Sequence, residues 1–231
     1  SVPVTTTPEA LAAKRAAAMG KLAVDVGYWG GAVPENLGAL RALADAGVVG
    51  FKCFLVPSGI DEFGHLDAAG VRAALRELAA FDGLLIAHAE DEGHLHAAAT
   101  EVGTGADGAL GRGYDTFLRS RPPVSEEAAI ATVIDALAET GGRGHIVHVS
   151  DGAALELVRQ AKADGIRLTI ETCPHYLTLA AEDVPDGASA FKCCPPIRGR
   201  ANQDLLWAGV ADGTIDAIVS DHSPATLALK T

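Results

Sequence analysis

The chain has 231 residues, 48% of them hydrophobic and 21% charged. That is the balance of a globular domain with ample material for a core, and no apolar run approaches the roughly 20 residues that span a bilayer. A formal charge of −12 disfavours nucleic acid and anionic membrane surfaces as partners, and Cys53, Cys173, Cys193 and Cys194 include no C-x-x-C pair, which argues for a reducing cytoplasm and against a disulfide framework or zinc knuckle.

Strand-like and helix-like segments alternate along the chain, the pattern of βα units around a parallel sheet. Thr7-Pro8-Glu9 places a cap residue before a proline and opens an alanine-rich helix to about Ala18. Leu22 to Tyr28 reads as a strand and Trp29-Gly30-Gly31 as a turn. Pro34 to about Ala46 has an apolar face of Leu37, Leu40, Leu43 and Ala44, with Gly47 as a stop. The run Val48 to Val56 is a strand carrying Lys52, and a helix is expected from about Asp67 to Ala80. The strand Leu84 to His88 precedes a glycine-rich excursion through Gly103 to Pro123 that contains Arg112, Tyr114, Arg119 and Arg121. A solvated connection and a functional βα loop both fit that excursion. Ser125 to Leu137 and Ala153 to Ala163 read as helices, Ile146 to His148 and Arg167 to Thr172 as strands. A loop or strand from Phe191 to Arg198, a helix near Gln203 to Val210 and a strand Ala217 to Asp221 complete the pattern, with no linker or second domain. The start at Ser1-Val2-Pro3, the single methionine at Met19 and the stop at Lys230-Thr231 lead us to expect a piece of a longer protein.

Strands of a parallel sheet are buried on both faces and read as nearly unbroken apolar runs. A buried ammonium must be paired or lose its charge, so Lys52 is out of place in its strand. Three further apolar runs end in a potential metal ligand: His88, His148 and Asp221. One such intrusion is an ordinary hydrogen-bonded core residue. Four at the ends of successive strands point to a site at the carboxyl face of a barrel, where βα loops gather the reactive groups. Two histidines and a carboxylate suit a divalent ion such as zinc. Lysine has no lone pair while protonated and joins them only as a carbamate, whose two oxygens bridge two cations. Such a pair lowers the pKa of a bridging water toward ~7. His65, His94, His96 and His145 fall in loops or on helix flanks and are assigned no role; for His175 a supporting contact and simple packing are equally good readings.

Several motifs now stand together: Gly50-Phe51-Lys52-Cys53-Phe54, His88-Ala89-Glu90, His148-Val149-Ser150, Glu171 to Leu177, Lys192 to Arg198 and Ser220-Asp221-His222-Ser223-Pro224. In order and spacing they resemble the cyclic amidohydrolases, the group of dihydroorotase, dihydropyrimidinase (hydantoinase) and allantoinase. Tyr28-Trp29-Gly30-Gly31 and the stretch Phe51 to Gly59 with Asp61-Glu62-Phe63 look most like its allantoinase branch. The resemblance implies a TIM-like (β/α)8 metal-dependent hydrolase barrel, of which about six of the eight βα units are present. It implies that residues 1–231 are a partial barrel domain, with the first two strands, the last helices and a small flanking β-domain outside them. It also implies two divalent ions, zinc or else iron, cobalt or manganese, bridged by N6-carboxylysine at Lys52. His88 and His148 would ligate the second ion, while Asp221 would ligate the first and shuttle the proton. Cys193, Cys194 and Pro195 match the segment that contacts the ring amide, and Ser223 is a further substrate contact. The family's His-x-His pair, which completes the first metal site, does not precede Lys52; His94-x-His96 has the spacing but falls on a helix flank.

The expected function is metal-dependent hydrolysis of a cyclic amide, allantoin to allantoate in purine degradation, by a cytoplasmic homo-oligomer, dimer or tetramer. The expected partner is the small cyclic ureide itself, with no nucleic acid and no membrane. The alternatives are hydantoin, dihydropyrimidine or dihydroorotate as the ring opened, and, in another class, a non-catalytic amidohydrolase-like scaffold. Retention of Lys52, His88, His148 and Asp221 counts against the scaffold.

Overall fold

The computed structural model describes residues 2–103, 111–223 and 228. Part of the excursion between Gly103 and Pro123 lies outside the described residues, as does Pro224. Six strands run in chain order: β1 (Trp29–Gly31), β2 (Gly50–Phe54), β3 (Leu84–His88), β4 (Arg143–Ile146), β5 (Leu168–Thr172) and β6 (Ala217–Ile218). Each pairs in parallel with the next, in the order β1-β2-β3-β4-β5-β6. The helices are α1 (Pro8–Ala18), α2 (Leu40–Asp45), α3 (Ala68–Ala79), α4 (Glu92–Val102), α5 (Tyr114–Arg119), α6 (Pro123–Thr140), α7 (Leu155–Ala163), α8 (Pro174–Thr178) and α9 (Arg200–Ala211). Every sheet neighbour is the next strand in sequence, which is the winding of a (β/α)8 barrel with part of its circuit in place. Among the described residues the sheet is open, β1 pairing only with β2 and β6 only with β5.

The period-two alternation of a strand divides the sheet into two faces. Phe51, Cys53, Leu85, Ala87, Ile146 and Ile170 are all within 1% of full burial and form the layer against the helices, joined there by Val71, Leu75 and Leu78 of α3 and Ile130, Val133 and Leu137 of α6. The other face carries Lys52, Phe54, Ile86, His88, His145, Thr169 and Glu171, with Lys52 beside Ile86, Phe54 beside His88, and His145 between Ile86 and Thr169. Helix ends follow their chemistry. Thr7 caps α1 by accepting from Ala10 N, Asp67 caps α3 by accepting from Gly70 N at 2.7 Å, and Gly141 closes α6 in the left-handed region.

Four local expectations are corrected. Leu22 to Tyr28 is not a strand: Leu22, Val24 and Val26 are exposed, and pairing begins at Trp29 opposite Gly50. Alternation alone makes no strand without a neighbour to bond. The expected turn is itself β1, because a Cβ at Gly30 would stand 2.8 Å from Leu43 Cδ2, so glycine lets α2 approach the sheet. The helix expected over Pro34 to Ala46 divides into a 3₁₀ turn, Pro34–Asn36, and α2, with Gly38 at φ +91° between them. Of the two readings of Phe191 to Arg198, the loop holds and the strand does not, since Pro195 and Pro196 offer no backbone donors to a ladder. His145 lies in β4, not in a loop, and its imidazole sits 3.0 Å from Glu171 Oε2 and 2.7 Å from Thr169 Oγ1 on the inner face.

Candidate active site

Lys52 is the central residue of β2, two before its end, His88 is the last residue of β3, and His148 and Asp221 follow β4 and β6 after two and three residues. All four line one cavity of about 500 Å³ at the carboxyl end of the sheet, together with Phe54, Arg121, Cys194 and Ser223. His148 and Asp221 reach it through backbone turns at φ +44° and +46°. Left-handed backbone is unfavourable for residues with a Cβ and concentrates where a side chain must be aimed. Asp221 is exposed to the cavity, whereas His148 is buried. Cys193 packs against the core instead, and the Pro195 carbonyl accepts the Tyr176 hydroxyl at 2.7 Å. Of the segment expected to meet the ring, Cys194 is the part that lines the cavity. His94 and His96 are exposed on α4, with His94 bonded to Asp91 at 2.7 Å. His175 lies on α8 with its ring edge-on to Tyr176, centroids 4.2 Å apart.

The two histidines face each other. His88 Nδ1 is 3.0 Å from His148 Nε2, with ring centroids at 4.7 Å, and the Phe54 ring stacks on His88 at 5.1 Å. Burial pulls the pKa of both imidazoles down, that of His148 well below the ordinary 6.5. They are therefore neutral ring bases with lone pairs to offer. Burial likewise pulls the Lys52 amine from 10.5 to about 8, against the attraction of Asp221 and Glu171. Its ammonium lies 4.8 Å from the Phe54 ring centroid.

Two ion pairs brace this arrangement, and the motifs alone did not assign them. Glu90, fully buried, accepts from both Arg121 Nε and Nη2 while standing 2.6 Å from His88 Nε2. Arg198 Nη2 donates to Glu126 Oε1 at 2.6 Å and its Nε to Ser150 Oγ at 3.1 Å; Glu126 also accepts from Ser150 N at 2.9 Å. Glu90 stands two residues after His88 and Ser150 two after His148. That shared offset was the available signal.

The residues fit half of a metal centre. Two nitrogens bound at about 2.0–2.1 Å with tetrahedral angles stand roughly 3.3 Å apart, close to the 3.0 Å observed. Among the described residues His148 Nδ1 is buried without a hydrogen-bond partner, which leaves that ring nitrogen unsatisfied. Among the described residues no three His, Cys, Asp or Glu side chains cluster to hold a metal unaided.

No protein-family model matches the chain. Allantoinase from Streptomyces avermitilis is 55% identical over 231 residues, covering 100% of the chain and 50% of that protein. The chain is thus similar to an allantoinase along its whole length. Allantoinases from Saccharomyces cerevisiae and Arabidopsis thaliana are 43% and 42% identical, again across 100% of the chain but 49% and 46% of theirs. The chain thus spans about half the length of the curated relatives it matches. Among solved structures, an L-hydantoinase (dihydropyrimidinase) from Arthrobacter aurescens superimposes with a TM-score of 0.86 at 31% identity, over 95% of this chain and 48% of that one. A D-hydantoinase from Bacillus sp. AR9 gives 0.83 at 27%, over 96% and 49%. These likenesses and the six-stranded parallel sheet establish the fold as part of a TIM-like barrel.

Proposed function

We propose that the protein hydrolyses a cyclic amide, opening the hydantoin ring of allantoin to allantoate. The observation that carries this reading is the convergence of Lys52, His88, His148 and Asp221 on one cavity in a chain 55% identical to an allantoinase from end to end. Residues 1–231 are read as a partial amidohydrolase barrel domain of a cytoplasmic homo-oligomer, dimer or tetramer, acting in purine degradation.

In this reading His88, His148, Asp221 and a carboxylated Lys52 hold two divalent ions, zinc or else iron, cobalt or manganese. When bound, the ions acidify a water and polarise the ring carbonyl. The rest falls to the chain's own groups. An amine with a pKa of about 8 is partly neutral at physiological pH. Its lone pair attacks carbon dioxide, forming an N–C bond and releasing one proton, and the product carbamate is an anion with two oxygen donors. Asp221, exposed to the cavity, takes the proton from the attacking water. It delivers that proton to the ring nitrogen as the C–N bond breaks. The Cys194 backbone and Ser223 hold the ring amide, with Cys193 and Pro195 shaping the segment behind.

The likeness to hydantoinase structures supports a second reading, with hydantoin or dihydropyrimidine as the ring. Side-by-side assays of the full-length protein on allantoin, hydantoin, dihydrouracil and dihydroorotate separate the two. We expect a marked preference for allantoin; a marked preference for another ring overturns the assignment. No turnover of any of them, with no bound metal by elemental analysis, would favour a non-catalytic scaffold.

A further inference from the structure

We propose that Glu90 and Arg121 are positioning residues for His88, holding its imidazole as the Nε2–H tautomer so that the Nδ1 lone pair faces the gap shared with His148. The inference rests on the metal-dependent reading above and extends it to residues outside the proposed ligand set. Imidazole has two chemically distinct nitrogens, and the tautomer is set by the hydrogen bond that the second one makes. His88 Nε2 lies 2.6 Å from Glu90 Oε2. An ionised carboxylate only accepts, and Glu90 is paired through both oxygens with the Arg121 guanidinium. Two acceptors cannot share a 2.6 Å contact, so the hydrogen resides on His88 Nε2. Nδ1 is then bare, and it is the nitrogen that stands 3.0 Å from His148 Nε2.

The pair is itself held in place. The Arg121 carbonyl accepts from Arg198 Nη1 at 3.1 Å, and Asp91 N, next to Glu90, donates to the Ser125 carbonyl at 2.9 Å. Arg198 in turn grips Glu126 of α6 and Ser150, the latter on the segment that carries His148. The two histidine segments therefore take their orientation from one buried frame. Glu90 has no exposure and the Arg121 side chain 21%, so the tautomer is set by the fold and not by solvent. A fixed carboxylate behind a ligating histidine strengthens and orients that ligand, and its loss typically costs ~10–100-fold in metal affinity.

The test uses the full-length protein, metal-free, with ¹⁵N-labelled histidine and long-range ¹H–¹⁵N correlation, followed by zinc titration against a chromophoric chelator. For the native protein we expect His88 protonated at Nε2 and bare at Nδ1. Glu90→Ala should shift that tautomer toward a mixture and weaken zinc binding ~10–100-fold. Glu90→Gln, whose amide oxygen still accepts the Nε2 hydrogen, should keep the tautomer and lose less affinity; Arg121→Lys, which breaks the fork, should fall between them. A native His88 protonated at Nδ1 overturns the proposal without any variant. A folded Glu90→Ala, judged by near-ultraviolet circular dichroism, with native tautomer and native zinc affinity overturns it as well. If the native protein binds no zinc, iron, cobalt or manganese, the metal-dependent function falls; the tautomer in the metal-free protein still decides what Glu90 does.

Discussion

Lys52 stands among apolar neighbours that pull its amine down to about 8, while an unfolded chain would keep the proton to about 10.5. Between those values the unfolded state binds more protons than the folded one, so stability rises with pH across that window and is lowest below it. Thermal melts of metal-free, uncarboxylated protein from pH 7 to 10 should show that rise. Lys52→Met should abolish it and melt higher than the native protein at pH 7, while eliminating turnover. Lys52→Arg keeps its charge throughout and cannot be carboxylated; it should be both inactive and flat. Parallel melting curves for native protein and Lys52→Met would exclude burial as the cause. Asp221 poses the opposite case, an exposed carboxylate aimed by an unfavourable turn at φ +46°. Asp221→Asn preserves size and removes basicity. Turnover should drop at least ~10²–10⁴-fold with the circular dichroism spectrum unchanged, and near-normal turnover would put the proton shuttle elsewhere.

Among the elements, the segment after β4 is held by several contacts at once. β4 ends at Ile146, His148 turns left-handed, and Ser150 is gripped by Glu126 of α6 and by Arg198 from the loop before α9. Three separate stretches of chain meet at one buried ion pair, its side chains 4% and 2% exposed. Removing one partner of such a pair leaves the other charged and desolvated, at a cost of ~3–5 kcal/mol. Arg198→Ala should therefore lower the unfolding free energy by that amount and the denaturant midpoint with it, and Glu126→Gln by less because its hydrogen bonds partly survive. Equal stability of Arg198→Ala and native protein in urea melts would show that solvent reaches the site. The strand carrying His88 was legible because its apolar run and its hydrogen-bonded extent coincide. The strand before His148 was misplaced, because Val147 continues the apolar pattern while the ladder has already stopped.

At the scale of the whole molecule the sheet has two unpaired edges among the described residues. Trp29, at one edge, is 43% exposed and Ile218, at the other, 47%. A barrel removes its edges by closing, and an unpaired apolar edge invites another chain. A polypeptide of residues 1–231 alone should self-associate and open no ring at a measurable rate, checked by light scattering and an allantoin assay on the purified chain. A monodisperse monomer with metal-dependent turnover would contradict both expectations.

The alternation of apolar runs with amphipathic segments settled the parallel α/β sheet, since period two and period 3.6 are properties of local sequence. The polar residues at the ends of those runs were equally visible, because a charge in a buried strand contradicts its surroundings wherever the strand later sits. Tertiary structure alone decided which of these residues share a space: His88 and His148 are 60 positions apart, and only the pairing of β3 with β4 brings their nitrogens to 3.0 Å. It also decided the supporting pairs, since Glu90 with Arg121 and Glu126 with Arg198 depend on long-range placement that no spacing encodes. The misread Leu22 to Tyr28 segment has the same cause. A strand exists by virtue of its hydrogen-bonded neighbour, and the neighbour is chosen by the fold.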